Sequence, residues 1–308
     1  MTAPLKVACT GTHTSYYHRR DGVSGKLAGP TGAASVCHNA RRKEGRLLKR
    51  TEPIAESPVT PARPDAPQAF RWKLAGSPLP SVVQALRIGE AARDALYKTW
   101  ADAGLWPLPD AFHRGLSDFH DHAYWLPEDA DGDRLIDHVV LFAESGLPDQ
   151  LVPGLAGGSR FWAWPDEDWR LLPDWMGRRA PGALFGPAET WSTATAYIQP
   201  HWGRRAGRPE ANDPIAEHIA FEAHLRGLPP PVRISVGRRI VSGARSIRAD
   251  SFVRGTRKRR ASGISVAAAV EIQFAEPVWG PLAFGFGAHF GLGLFEPADA
   301  PFDDRGGP

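Results

Sequence analysis

The stretch from Glu276 to Phe295, EPVWGPLAFGFGAHFGLGLF, constrains the fold of this 308-residue chain more than any other. Gly280, Gly285, Gly287, Gly291 and Gly293 alternate there with large apolar residues and one histidine, His289. Each interior glycine costs a helix about 1 kcal/mol relative to alanine, so a helix is excluded. The segment is also too apolar for a free linker, which would be polar or Ser-rich. What remains is a glycine-rich loop and strand edge wedged against a core. Missing side chains let another backbone, from the protein or from a ligand, approach closely there. A dinucleotide fingerprint does not fit, because G-x-G-x-x-G must open a helix and nothing after Gly293 reads as one.

The length suits one large or two ordinary domains, with apolar content sufficient for a core. No run of eighteen apolar residues reads as a membrane span, and the N-terminus lacks the apolar core of a signal peptide. The two cysteines, Cys9 and Cys37, fall in the part of the chain with least apolar pattern, so a reducing cytoplasm is the simplest compartment. Net charge is only +3, but it is unevenly placed. Between Arg233 and Arg260 a series of arginines and one lysine faces the single acid Asp250, whereas the tail carries Asp299, Asp303 and Asp304. Such asymmetry points to a polyanionic partner.

Residues 1–67, rich in Gly, Ser, Thr, Pro, Arg and Lys, read as a disordered or poorly packed basic arm. Ordered structure is expected from Ala69, where Phe70, Trp72 and Leu74 alternate with Arg71 and Lys73 as in a half-buried strand. Ser81 then caps a helix running to about Trp100, with Val82, Ala85, Leu86, Ile88, Ala92 and Leu96 on its apolar stripe. HDHAYWLPEDADGDRLIDHVVLFA, from His120 to Ala143, reads as a hairpin around an acidic Asp-Gly turn. Asp129, Asp131 and Asp133 resemble the start of a calcium loop. Arg134 stands where that loop needs glycine, and Val140 where it needs a bidentate glutamate, so a solvated turn is the better reading.

Further on, FWAWPDEDWRLLPDW suggests a strand followed by an insertion, and TWSTATAYIQP a strand by its β-branched and aromatic content. Asp213 and Pro214 open a helix that Gly227 closes after Arg226. PVRISV, ISVAAAVEIQF and the glycine-rich ending supply the remaining strands. The order predicts an α+β fold of two tandem ferredoxin-like βαββαβ units, over residues 68–160 and 161–296, followed by an acidic tail at 297–308.

Three histidines draw attention in the hairpin. His120 and His122 are two apart and so project from one face if they begin a strand, while His138 starts the partner strand. The cluster is open to three readings: a zinc-type metal site completed by Asp121 or Asp137, an acid/base pair, or hydrogen-bonded structural imidazoles. Two basic runs, GRRAGR (Gly203 to Arg208) and RGTRKRR (Arg254 to Arg260), lie beside Tyr197, Trp202 and Phe252. Arginines for phosphates and aromatics for splayed bases suit single-stranded or hairpin RNA, the alternative being solvated charged loops.

PLPSVVQALRIGEAARDAL, the hairpin HDHAYWLPEDADGDRLIDHVVLF and the ending FAEPVWGPLAFGFGAHFGLGLF together resemble, in the same order, one family. It is the CRISPR-associated RAMP subunit of type I-U (I-G) systems, a fusion of the Cas-five and Cas-six types. The resemblance covers roughly Phe70 to Phe295, mainly the Cas-six-like processing part, and the ending looks like the glycine-rich loop by which RAMP proteins grip RNA.

The resemblance implies a ferredoxin-like endoribonuclease, needing no metal or cofactor, that cuts precursor CRISPR RNA within each repeat. In that chemistry a base takes the 2′-OH proton, the oxygen attacks phosphorus, and an acid protonates the leaving 5′-oxygen. His120, His122 and then His138 are the expected catalytic residues. Arg204, Arg205, Arg208, Arg254, Arg257, Lys258, Arg259, Arg260, Gly285, Gly287, His289 and Gly291 are the expected RNA contacts. Other subunits of a type I interference complex are expected partners. The sequence departs from the family at Tyr124, where a further histidine is common, and at the N-terminus, where family members carry a longer Cas-five-like part that binds the 5′ handle. Two alternatives stand beside this reading: a crRNA-binding subunit that does not cut, and a metal-dependent hydrolase using the histidine cluster.

Overall fold

The computed structural model of the protein describes residues 59–60, 62–112, 122–161, 168–180, 182–200, 213–242, 245–254 and 266–298. The expected arm up to residue 58 and tail from 299 therefore lie outside the described residues, as do both cysteines.

The first sheet opens with β1 (Ala69–Ala75), whose Phe70, Trp72 and Leu74 are all buried, as their alternation predicts. A single turn at Val82–Gln84, with the Ser81–Gln84 capping box, leads into α1 (Ala85–Asp102). Ala85, Ile88, Ala92, Leu96 and Trp100 form its buried stripe at helical spacing. Gly89 lies on the same face, and a Cβ there would come within 2.7 Å of the Trp125 carbonyl oxygen and 2.8 Å of the Phe290 carbonyl oxygen. The helix can therefore sit directly against two other backbones.

The hairpin forms as β2 (Tyr124–Glu128) and β3 (His138–Phe142), in register from Tyr124 opposite Phe142 to Glu128 opposite His138. In the turn between them Asp129 accepts the backbone N–H groups of Gly132, Asp133 and Arg134. Among the described residues, only Asp129, Asp131 and Asp133 bring three possible metal-ligating atoms within 4.8 Å of one another. Arg134 adopts φ 76°, the left-handed conformation glycine would take without strain.

A short helix α2 (Val152–Ala156) and strand β4 (Ser159–Phe161) precede β5 (Trp169–Gly177). The sheet order is β2-β3-β1-β5-β4, antiparallel throughout. β1, α1, β2, β3, α2 and β5 are a ferredoxin-like βαββαβ unit. Because β5 pairs along all of β1 and buries Trp169 and Leu171, the first sheet runs to Gly177, beyond the expected boundary at 160.

The second sheet repeats the topology. β6 (Ala188–Thr193) and β7 (Tyr197–Ile198) lie along one edge of β11 (Ala267–Val278), and β8 (Arg233–Gly237) lies along the other. α3 (Ile215–Leu225) joins β7 to β8, and β12 (Phe295–Pro297) returns beside β6. β8, β11, β6 with β7, and β12 thus occupy the places of the second, third, first and fourth strands of another such unit. Between β8 and β11 the sequence carries a charged stretch. The structure instead has a two-stranded ribbon, β9 (Arg239–Ser242) with β10 (Arg245–Arg248), and the short α4 (Ser251–Arg254). No helix of the described residues is long and apolar enough to cross a membrane.

Where a second helix would connect β11 to β12, the chain instead runs through the glycine-rich segment. That segment contains a single helical turn, Ala288–Phe290, flanked by Gly287 and Gly291 with φ of 74° and 83°. Ala283, Ala288 and Leu294 of this segment share a buried cluster with Ala69, Tyr124, Leu126 and Val140 of the first sheet. The loop of the second unit is in this way part of the core of the first.

Candidate active site

The docking of the loop brings two histidines together. His122 stands two residues ahead of β2, and His289 sits in the helical turn of the glycine-rich segment. Their rings lie 5.6 Å apart, edge to face, and both residues are half-buried. Tyr124, on the first residue of β2, stacks on the other histidine with its ring 4.4 Å from that of His289. Two imidazoles and a phenol ring thus converge from parts of the chain more than 160 residues apart.

Hydrogen bonds from side chains to its backbone fix the loop at both ends. At its start, Glu222 of α3 accepts the Gly285 N–H at 2.9 Å, and Arg226 donates to the Ala283 carbonyl. At its end, the Thr195 hydroxyl donates to the Gly291 carbonyl at 2.7 Å and accepts the Leu294 N–H at 3.0 Å. Gly285 has φ 90°, and a Cβ there would lie 2.6 Å from the Ile198 carbonyl oxygen. At Gly291 a Cβ would lie 2.5 Å from Cδ of Pro127. At both glycines the close backbone approach anticipated from the sequence is to protein atoms: to β7 at one and to β2 at the other. Gly287 likewise faces Leu86 and Leu292.

Glu222 and Arg226 carry the electrostatics of the loop. Glu222 is 1% exposed, and burial pushes its carboxyl above the usual range, with the Arg226 charge and the Gly285 N–H working against that. The Arg226 guanidinium lies 4.5 Å over Phe284 and 5.9 Å over Tyr124. Neither residue, nor Thr195, stood out in the sequence. A signal was present for the pair: Glu222 and Arg226 fall four apart on the stripe that also carries Ile215 and Ile219, where a surface helix would place apolar groups.

His138 is elsewhere. Register puts it opposite Glu128, at the far end of the hairpin from His122, about 20 Å away at the rise of a strand. Its Nδ1 is 2.9 Å from Asp137, and its Nε2 is 3.8 Å from Asp174. Asp174 and the buried Glu128 both pair with Arg71, at 3.0 and 2.9 Å. Burial pushes Asp137 up, but hydrogen bonds from His138 and the Ala130 N–H outweigh this and hold its carboxyl below the usual value. His138 thus belongs to an ion network across the first sheet. His120, Arg204, Arg205, Arg208, Arg257, Lys258, Arg259 and Arg260 lie outside the described residues, as does the side chain of Arg254.

A separate cleft lies between the hairpin turn, the β9–β10 ribbon and the edge of the second sheet, lined by Val82, Asp129, Arg134, Thr193, Ile240 and Glu296 among others. Burial, together with the nearby carboxylates of Glu128 and Asp129, pushes Glu296 up to about 7.

No protein-family model and no curated protein matches the sequence. Among solved structures, the chain is similar to a RAMP protein described as binding different RNA substrates, at 13% identity and a TM-score of 0.35. That likeness spans 75% of this chain and 100% of the other. It is also similar to a Cas6-related protein from Pyrococcus furiosus, at 11% identity and a TM-score of 0.35, over 77% of this chain and 100% of that one.

Proposed function

We propose that this chain is a CRISPR RNA-processing endoribonuclease of the Cas6-like RAMP class. It cuts precursor RNA within the repeat by attack of the ribose 2′-OH on the adjacent phosphate, with His122 and His289 as the acid/base pair. The observation that carries this reading is the pair itself: two imidazoles 5.6 Å apart, drawn from the hairpin and from the glycine-rich loop of a tandem ferredoxin-like fold. A phosphate laid across the edges of both rings lets one imidazole take the 2′-OH proton while the other protonates the leaving 5′-oxygen. Imidazole suits both transfers because its unperturbed pKa lies near neutrality. The products are a 2′,3′-cyclic phosphate and a 5′-OH, and no metal takes part. The arginine-rich runs supply phosphate contacts, the protein works in the cytoplasm, and the cut RNA stays with the subunits of a type I interference complex.

The test is cleavage of an end-labelled repeat RNA in excess EDTA by the wild type, His122→Ala, His289→Ala and the double variant. A single cut that survives EDTA and leaves a cyclic phosphate is expected. Each single variant should lose about 10²- to 10⁴-fold in rate while still binding RNA. Tight binding without a cut by the wild type would make the chain an RNA-holding subunit, and a cut abolished by EDTA would favour a metal-dependent hydrolase. Absence of RNA binding would end the reading altogether.

A further inference from the structure

We infer that Glu222 and Arg226 are positioning residues for His289: an ion pair at the C-terminal end of α3, its carboxylate buried and its guanidinium half-buried, that grips the start of the glycine-rich loop and holds the histidine against its partner through Tyr124. The inference rests on the proposed role of the His122–His289 pair.

The pair acts on the peptide units either side of Phe284. Arg226 Nη1 donates to the Ala283 carbonyl, and Glu222 Oε2 accepts the Gly285 N–H at 2.9 Å. The two side chains meet each other at 3.4 Å. Only Phe284 separates the two gripped peptide groups, so the chain can neither slide nor rotate there without breaking one bond. The guanidinium plane also covers Phe284 in the loop and Tyr124 in the hairpin. Tyr124 in turn stacks on His289 and stands two residues from His122. One cation therefore touches both chain segments that carry the imidazoles.

Stability alone is a weak reason for such a pair. Taking two charges out of water is costly, and well-packed apolar residues often serve equally well. What apolar residues cannot supply is a donor and an acceptor aimed at two particular peptide groups. Glutamine at 222 keeps an oxygen for the Gly285 N–H. Methionine at 226 keeps much of the volume but loses the donor, and lysine keeps the charge but cannot both reach Ala283 and lie flat over two rings.

The experiment reads His289 directly, in the absence of RNA. Ring-selective NMR of the wild type, Glu222→Gln, Arg226→Lys and Arg226→Met follows the His289 imidazole protons, which stacking on Tyr124 shifts upfield. Arg226→Met and Arg226→Lys should move them downfield, and Glu222→Gln should move them least. Single-turnover cleavage by the two Arg226 variants should fall about 10- to 100-fold in rate and that by Glu222→Gln least, with RNA affinity little changed. In a His289→Ala background Arg226→Lys should add no further loss. A His289 signal unmoved in folded Arg226→Lys, or losses that add fully to His289→Ala, would overturn the inference. If the wild type does not cut, the proposed function fails, and the NMR arm still decides whether the pair positions His289.

Discussion

Replacing Glu296 with glutamine should stabilise the protein at alkaline pH and leave it unchanged in acid. Glu296 lies on β12, beside the cleft between the two sheets, where burial and the carboxylates of Glu128 and Asp129 raise it from 4.5 to about 7. A carboxyl with a raised folded-state pKa costs stability whenever the unfolded chain has ionised it. Below about pH 4.5 both states are protonated and the cost vanishes. Between 4.5 and 7 the folded state holds a proton that the unfolded state has released, and stability falls as pH rises. Above 7 the cost is constant, at roughly 3–4 kcal/mol. Glu296 is only half-buried, so solvent screening removes part of this and leaves about 2 kcal/mol. For a protein of this size that corresponds to about 4–8 °C in Tm. Melting curves of wild type and Glu296→Gln at about pH 3.5, 6 and 8 should therefore coincide at the first pH and diverge at the last. An equal shift at all three values would refute the electrostatic argument and leave a packing effect. No shift at pH 8 would mean that Glu296 is as well solvated as an ordinary surface carboxylate.

Other perturbations test the packing that builds the site. Gly89→Ala should destabilise by about 1–3 kcal/mol in urea unfolding, against the roughly 1 kcal/mol that alanine normally gains in a helix, because α1 must retreat from the Trp125 and Phe290 backbones. Arg71→Ala strands the buried Glu128 carboxylate and should cost about 3–5 kcal/mol near neutral pH, less at pH 4 where protonation of Glu128 relieves it; urea midpoints at the two pH values measure the difference. Thr195→Val leaves the Gly291 carbonyl and the Leu294 N–H without their hydroxyl partner, at a cost of about 1–3 kcal/mol. Hydrogen exchange at Leu294 should accelerate more than at Ile272 in the core of β11.

The parts of the fold that the sequence made legible are those in which one period dominates. The alternation of Phe70, Trp72 and Leu74 gave β1, and the spacing of Ala85, Ile88, Ala92 and Leu96 gave α1. Two elements hid for identifiable reasons. In the β9–β10 ribbon, Arg238, Arg239, Arg245 and Arg248 flank the buried Ile240 in sequence, so a strand pattern reads as a charge run. In β5, Pro173 interrupts the strand and Leu172 and Met176 point outward, so nothing in the sequence ties it to β1. The site was half legible. His122 and His289 each stood out by their neighbours, but their meeting depends on how the loop of one unit docks on the other, which no local period reports. His138 separated from His122 because nine residues of turn and the late start of β2 set the hairpin register.

The glycines and the histidines of the closing segment answer to one topological fact. A ferredoxin-like unit ordinarily closes with a helix between its third and fourth strands. Here the space such a helix would need is taken by α1 and β2 of the first unit, with Leu86 3.0 Å from a Cβ at Gly287 and Pro127 2.5 Å from one at Gly291. Only a chain stripped of side chains at those points can return to β12 without displacing them. Its one helical turn then has a single half-buried polar residue, His289, and that residue faces the edge of the hairpin where His122 stands. The same absence of side chains that lets the two units share a core therefore delivers the second imidazole. It follows that substitutions which enlarge the loop should uncouple the histidines before they unfold either sheet.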